Sequence, residues 1–123
     1  MKKHPLVETS SDALVLRFED LCLLQYRSLE REEIAAYNRR LDEIESIVDE
    51  LMSRPGDERR LLQRFYNHKN AQVALTAAHA NLAIDYVRAR KVFEEIAEDA
   101  MGIQQLEAGM TLDNLDRGIY LPK

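Results

Sequence analysis

Cysteine, proline and glycine are all scarce in this chain of 123 residues, which holds one, three and four of them respectively. A lone Cys22 excludes an intrachain disulfide and any multi-cysteine zinc site. It lies in the run Leu21-Cys22-Leu23-Leu24, which marks it as a buried, inert thiol. So few glycines leave no phosphate-cradling loop. With so little Gly and Pro, long stretches rich in Leu, Ala, Glu and Arg favour helix over sheet. No apolar run approaches the roughly 18 residues of a membrane span. The opening Met-Lys-Lys-His-Pro is positive, but neither an apolar stretch nor a small-residue cleavage site follows it. A cytoplasmic protein is therefore expected, with no membrane partner.

What is present describes a charged globular domain. Apolar residues make up 46% and charged residues 32% of the chain, and the length suffices for one self-sufficient core. A net charge of -5 argues against a general nucleic-acid binder, because neutralising phosphates needs a basic stripe. Arg59, Arg60, Arg64, Lys69, Arg88, Arg90 and Lys91 are the one basic group of note. Acidic residues surround them in sequence, so ordinary surface is expected there.

The chain is organised around Asn70 to Ile84. After Asn70 its polar members are Gln72, Thr76, His79 and Asn81, and the remainder is Ala, Val, Leu and Ile. Gln72, Thr76 and His79 recur at i, i+4 and i+7, one narrow face of a helix. The spacing predicts a central helix, buried on most sides and showing one polar strip to solvent.

Residues 1–8 read as a flexible arm. Thr9 with Asp12 resembles a capping box, with Ser10 and Ser11 as alternative caps. A first helix from about Asp12 to Leu29 carries Leu14, Phe18, Leu21, Cys22 and Leu29, widened by Val15 and Leu24. A second carries Ile34, Tyr37, Leu41, Ile44, Val48 and Leu51. The two stripes differ in phase by one residue, roughly 100° of rotation, so a sharp corner is expected at Glu30–Glu33. Arg54-Pro55-Gly56-Asp57 is a firm break with Asp57 as the next cap. A short helix through Leu61, Leu62, Phe65 and Tyr66 follows, then a turn at Asn67–Asn70 with Asn70 capping the central helix. Asp85 ends or kinks that helix. A fifth helix carries Tyr86, Ala89, Phe93, Ile96, Ala97 and Ala100 on one face, and Gly102 breaks it. A sixth carries Leu106, Met110, Leu112 and Leu115, with Gly118 as C-terminal cap and Ile119 and Leu121 folding back. The expectation is all-α: six helices in three hairpins, one domain over 9–123.

Leu61-Leu62, then Asn70, Val73, Ala77-Ala78, Ala80 and Leu82, resemble one HEAT-type repeat, in which Val, Ala and Leu form the inter-helix seam. The pattern commonly has Arg or Lys after Val; this chain has Ala74, and so lacks the residue on which the usual ladder of charges between repeats depends. The chain as a whole is similar to a family of short bacterial HEAT-like proteins catalogued as a domain of unknown function. The residues that carry this are Tyr37-Asn38-Arg39, Glu50-Leu51, Ala108-Gly109-Met110-Thr111-Leu112 and Leu115-Asp116-Arg117-Gly118-Ile119. The resemblance implies an α-α superhelix of the HEAT/armadillo type and no known activity, cofactor or catalytic residue.

Catalytic signatures are missing. There is no Glu-x-x-His, no His-x-x-x-His and no Gly-x-Ser-x-Gly, so neither a metal site, nor a cofactor, nor a nucleophilic centre is expected. His4, His68 and His79 share no ligand spacing. What remains is a non-catalytic binding module that takes a protein or peptide partner on the inner face of a short repeat stack. Its candidate contacts are Gln72, Thr76 and His79 on the central helix, Asn38 and Arg39 on the second, and Asn114 and Arg117 on the last. A partner-neutralising immunity or antitoxin role is one version. The alternative is a small-molecule or enzyme site with His79 as acid/base beside Tyr37 or Tyr86, tuned by a nearby carboxylate. Homodimerisation through apolar residues of the second helix is the third.

Overall fold

A computed structural model describes residues 6–123. Five α-helices make up most of it: α1 (Ser11–Glu30), α2 (Ile34–Ser53), α3 (Ala71–Asn81), α4 (Tyr86–Asp99) and α5 (Ile103–Asp116). Two 3-10 segments, Leu6–Glu8 and Glu58–Phe65, complete the order, and no strand occurs among the described residues. The fold is all-α, as the composition demands. The chain divides into two units, Met1–Leu61 and Leu62–Lys123, and the boundary falls inside the second 3-10 segment.

In the first unit α1 packs against α2. Leu14, Val15, Phe18, Leu21 and Cys22 are buried along α1 as the stripe predicts, and Gln25 and Ser28 continue it. Ser10 is the N-cap: its Oγ accepts the Ala13 N–H at 3.2 Å, in place of the expected Thr9–Asp12 box. On α2 the buried residues are Ile44, Ile47 and Leu51. Tyr37, Leu41 and Val48 are half-buried, and Ile34 is 66% exposed. The second stripe is thus rotated toward Ile47, and its first turn lies off the core.

The corner between α1 and α2 is as sharp as the phase slip requires. Glu33 N–H reaches Ser28 O and Glu32 N–H reaches Leu29 O, the paired bonds of a Schellman motif. Glu32 sits at φ 57°, a left-handed conformation that costs a non-glycine residue about 1–2 kcal/mol. The same motif closes α5, where Ile119 N–H reaches Asn114 O and Gly118 takes φ 71°. There the left-handed residue is glycine and the strain is absent.

The flexible-arm expectation for residues 1–5 lies outside the described residues. Leu6–Glu8 is tied down by Arg54 at the end of α2, whose Nη2 donates to Leu6 O and Thr9 O at 3.0 and 2.7 Å. The same guanidinium donates to Ser11 Oγ and to the Glu50 carboxylate, each at 2.9 Å. Beyond the Pro55-Gly56 break, Asp57 takes φ 51° and its carboxylate accepts from the backbone and the guanidinium of buried Arg59.

In the second unit α4 packs against both α3 and α5. Asn70 caps α3 as predicted, its Oδ1 accepting the Gln72 N–H at 2.9 Å. The helix ends at Asn81, short of Ile84, and a turn leads to Asp85, whose carboxylate is held by the Tyr66 hydroxyl at 3.0 Å and not used as a cap. On α4 the core residues are Ala89, Val92, Phe93 and Ile96, while Tyr86 is exposed. The expectation for α5 fails at two of its four positions: Leu106 and Met110 face solvent, Leu112 and Leu115 are half-buried, and Gln104, Ala108 and Thr111 are buried. Ile119 and Leu121 are exposed as well; the residue that folds back is Tyr120, against His79.

Two predictions follow from these termini. Glu32→Gly should stabilise the chain by about 1 kcal/mol, because relief of the left-handed strain exceeds glycine's extra unfolded-state entropy. Urea unfolding measures it, and an unchanged or lowered midpoint counts against the strain argument. Hydrogen bonds from Arg59 hold the Asp57 carboxylate below its ordinary 3.8. A depressed carboxylate stabilises the fold above the unfolded-state value and loses that contribution as pH falls through the lower folded-state value. The stability gap between wild type and Asp57→Asn should therefore be full near neutral pH and shrink on acidification below about pH 4; a pH-independent gap would refute the linkage.

Candidate functional site

The strip Gln72, Thr76, His79 proves to be a seam between helices. Gln72 is 2% exposed, so the expected solvent face does not exist at its first position. Gln104 Nε2 donates to Gln72 Oε1 at 3.1 Å, with both side chains buried. Thr111 Oγ1 lies 3.5 Å from His79 Nε2. Each pair spans 32 residues of sequence, so α3 and α5 run parallel in constant register. Thr76 falls in that register opposite fully buried Ala108, and its own hydroxyl donates to Gln72 O at 2.7 Å. A helix that repeats polar groups every seven residues meets a second helix that does the same.

His79 stands at the end of the seam. Its ring meets Phe93 edge-on at 4.7 Å and Tyr120 at 6.0 Å between centroids. Its Nε2 lies 3.6 Å from the Glu107 carboxylate. This is the carboxylate that an acid/base role requires, but the neighbouring tyrosine is Tyr120 rather than Tyr37 or Tyr86. Burial pushes the Tyr120 hydroxyl above its ordinary value of 10.0. Phe93, Tyr120, Thr111 and Glu107 flank the half-buried imidazole, which fits a role in holding the C-terminal segment onto α3.

The remaining expected contacts separate. Asn38 and Arg39 are exposed on α2 in the first unit. Arg117 is exposed and Asn114 half-buried on α5. Counting at 100° per residue, Ile103, Leu106, Met110, Asn114 and Arg117 share one arc of α5. Ile103, Leu106 and Met110 are 52%, 65% and 58% exposed. The buried arc, centred on Gln104, Ala108 and Thr111, lies roughly 140° away. Periodicity alone does not show this outward apolar stripe, because Leu106 and Met110 fit a core stripe equally well. The signal that could have found it was the polar pair Gln104 and Thr111 at the seven-residue spacing of Gln72 and His79.

The two arginines of α4 in the basic group are engaged. Arg90 bonds Asp116 and the Tyr86 hydroxyl, which holds its guanidinium well above its ordinary value. Arg88 pairs with Asp85 and lies over the Tyr66 ring.

A family model described as a domain of unknown function, DUF2019, matches residues 12–116. The chain belongs to this family. It is also similar to a protein of known structure, described as the protein RPA1889 from Rhodopseudomonas palustris CGA009, with 36% identity and a TM-score of 0.94. That likeness covers 98% of this chain and 100% of the other. No curated protein matches the chain. Among the described residues of this DUF2019 chain, no helix is long and apolar enough to cross a membrane.

The buried amide pair carries its own prediction. Gln104→Ala removes the donor to Gln72 Oε1 and should destabilise the fold by about 1–3 kcal/mol. Replacing both residues by Leu should recover part of that loss, since the Gln72–Gln104 pair is then removed as a unit. A double-mutant cycle in urea reads this out, and additive losses would show the two amides are uncoupled.

Proposed function

We propose that this chain is a non-catalytic protein–protein interaction module of the HEAT-like helical-repeat type, binding its partner along the outward stripe of α5. The observation that carries the reading is the inversion of α5: Ile103, Leu106 and Met110 face water while Gln104 and Thr111 are buried. An exposed apolar stripe at helical spacing is the form in which one helix presents itself to a groove or to another helix. Asn114 and Arg117, both expected contacts, extend the stripe, and Arg117 with Asp113 gives it a charged end. Successive packing of α3 on α4 and α4 on α5 supports the repeat character, with α5 in the place of a terminal helix whose outer side a further element would cover.

The test is affinity capture of the tagged protein from lysate of its own organism, beside the double variant Leu106→Glu/Met110→Glu. Both positions are exposed, so the variant should match the wild type in circular dichroism and within about 0.5 kcal/mol in stability. A stoichiometric partner captured by the wild type and lost by the variant is the expected result. If light scattering shows a two-chain particle that the variant reduces to one, the partner is a second copy. A partner kept by the folded variant, or a lone chain with none captured, refutes the reading.

A further inference from the structure

At the corner between α1 and α2, within the first unit, a cavity of about 580 Å³ is lined by Arg27, Arg31, Arg39 and Arg40. Leu24, Ile34 and two alanines supply its apolar wall. Four cations around one concavity stand out in a chain whose net charge is -5. The side chains of Arg27, Arg31 and Arg39 form no ion pair or hydrogen bond among the described residues. Arg40 Nη1 reaches Glu43 at 3.3 Å, but its Nε is buried without a partner, the one such side-chain atom among the described residues. An unpaired buried donor costs about 1–3 kcal/mol.

The wall chemistry defines the ligand. Planar guanidinium groups take phosphate oxygens in pairs. With Glu33 also on the wall and Glu43 paired to Arg40, the four arginines leave a net of two positive charges, which suits a diphosphate better than a single carboxylate. The exposed Ile34, with Leu24, offers contact to an organic body, and the volume is in the range of small-molecule sites, roughly 300–1,000 Å³. We propose that this cavity binds a small organic diphosphate, with Arg31 and Arg39 holding the phosphates and Ile34 lying against the organic part. The site shares no residue with the α5 stripe and stands apart from the proposed function.

Calorimetric titration of the whole chain tests it with four probes: adenosine 5′-diphosphate, pyrophosphate, adenosine and a hexaglutamate peptide. The variants are Arg31→Gln and Arg39→Gln, both exposed and unbonded, so the fold should persist and circular dichroism checks it. The expected result is one diphosphate per chain, adenosine silent, and about tenfold weaker binding in each variant, the worth of one charged hydrogen-bonded contact. Leu106→Glu/Met110→Glu should bind the diphosphate as the wild type does. Binding unchanged in both arginine variants, binding of hexaglutamate in preference to pyrophosphate, or no heat with either diphosphate would each overturn the proposal. The hexaglutamate outcome would reassign the cavity to an acidic polypeptide.

Discussion

The rotational setting of α5 depends on the buried hydrogen bond between Gln104 and Gln72. A glutamine with 2% exposure has no water to turn to, and its amide must be met by protein. The arc of α5 that carries Gln104, Ala108 and Thr111 meets α3, repeating polar groups at the seven-residue interval of Gln72 and His79. Once Gln104 is in place, helical geometry leaves Ile103, Leu106 and Met110 on the solvent side. One amide pair thus links a packing constraint inside the second unit to the chemistry of its surface.

Small residues make the same choice sterically. Ala108 and Thr111 are the buried residues of α5 beside Gln104, so the seam has a methyl group and a short side chain where bulkier ones would need room. Turning α5 to bury Leu106 and Met110 would drive two long side chains into that space, and overpacking of this kind costs about 1–3 kcal/mol. It would also break the Gln72–Gln104 hydrogen bond. The polar arc fits because it is short-branched at Thr111 and bare at Ala108.

Most of the architecture was legible from residue types with a local mechanism. Asn70 as a cap, Pro55-Gly56 as a break, Gly118 as a C-terminal residue and the phase slip before Ile34 all act within one turn of chain and appear at their expected positions. The first helix takes Ser10, one of the alternative caps, over the Thr9–Asp12 box. Periodicity was less informative where both arcs of a helix carry apolar residues. On α5, Leu106 and Met110 form as good a stripe as any core, and only the partner helix decides which arc turns inward. On α2, the strict spacing from Ile34 to Leu51 hid Ile47, because the corner carries the first turn away from α1. The polar strip of α3 was read at the right positions but given to solvent. A row of Gln, Thr and His satisfies water and a second polar row equally, and the choice lies in residues 32 positions further on. The arginine cavity was illegible for a related reason: Arg27, Arg31, Arg39 and Arg40 lie on two helices whose ends the corner brings together.

The outward stripe is hard to explain by the chain alone. Burying a Leu, Ile or Met side chain is worth about 1.5–3 kcal/mol each, so three left largely in water forgo more than the amide pair and Thr111 return. Native surfaces do carry scattered apolar residues without consequence. Ile103, Leu106 and Met110 are not scattered: they hold one arc over two turns, and Arg117 ends it. Solubility argues against such a stripe on a chain that keeps it bare, whereas a covering surface would recover the forgone energy when it binds. The Gln72–Gln104 seam would then serve twice, closing the core on one side of α5 and presenting a rigid helix on the other. Rigidity matters here because ordering a segment on association costs free energy, and a helix backbone fixed by a buried register has already met that cost in folding.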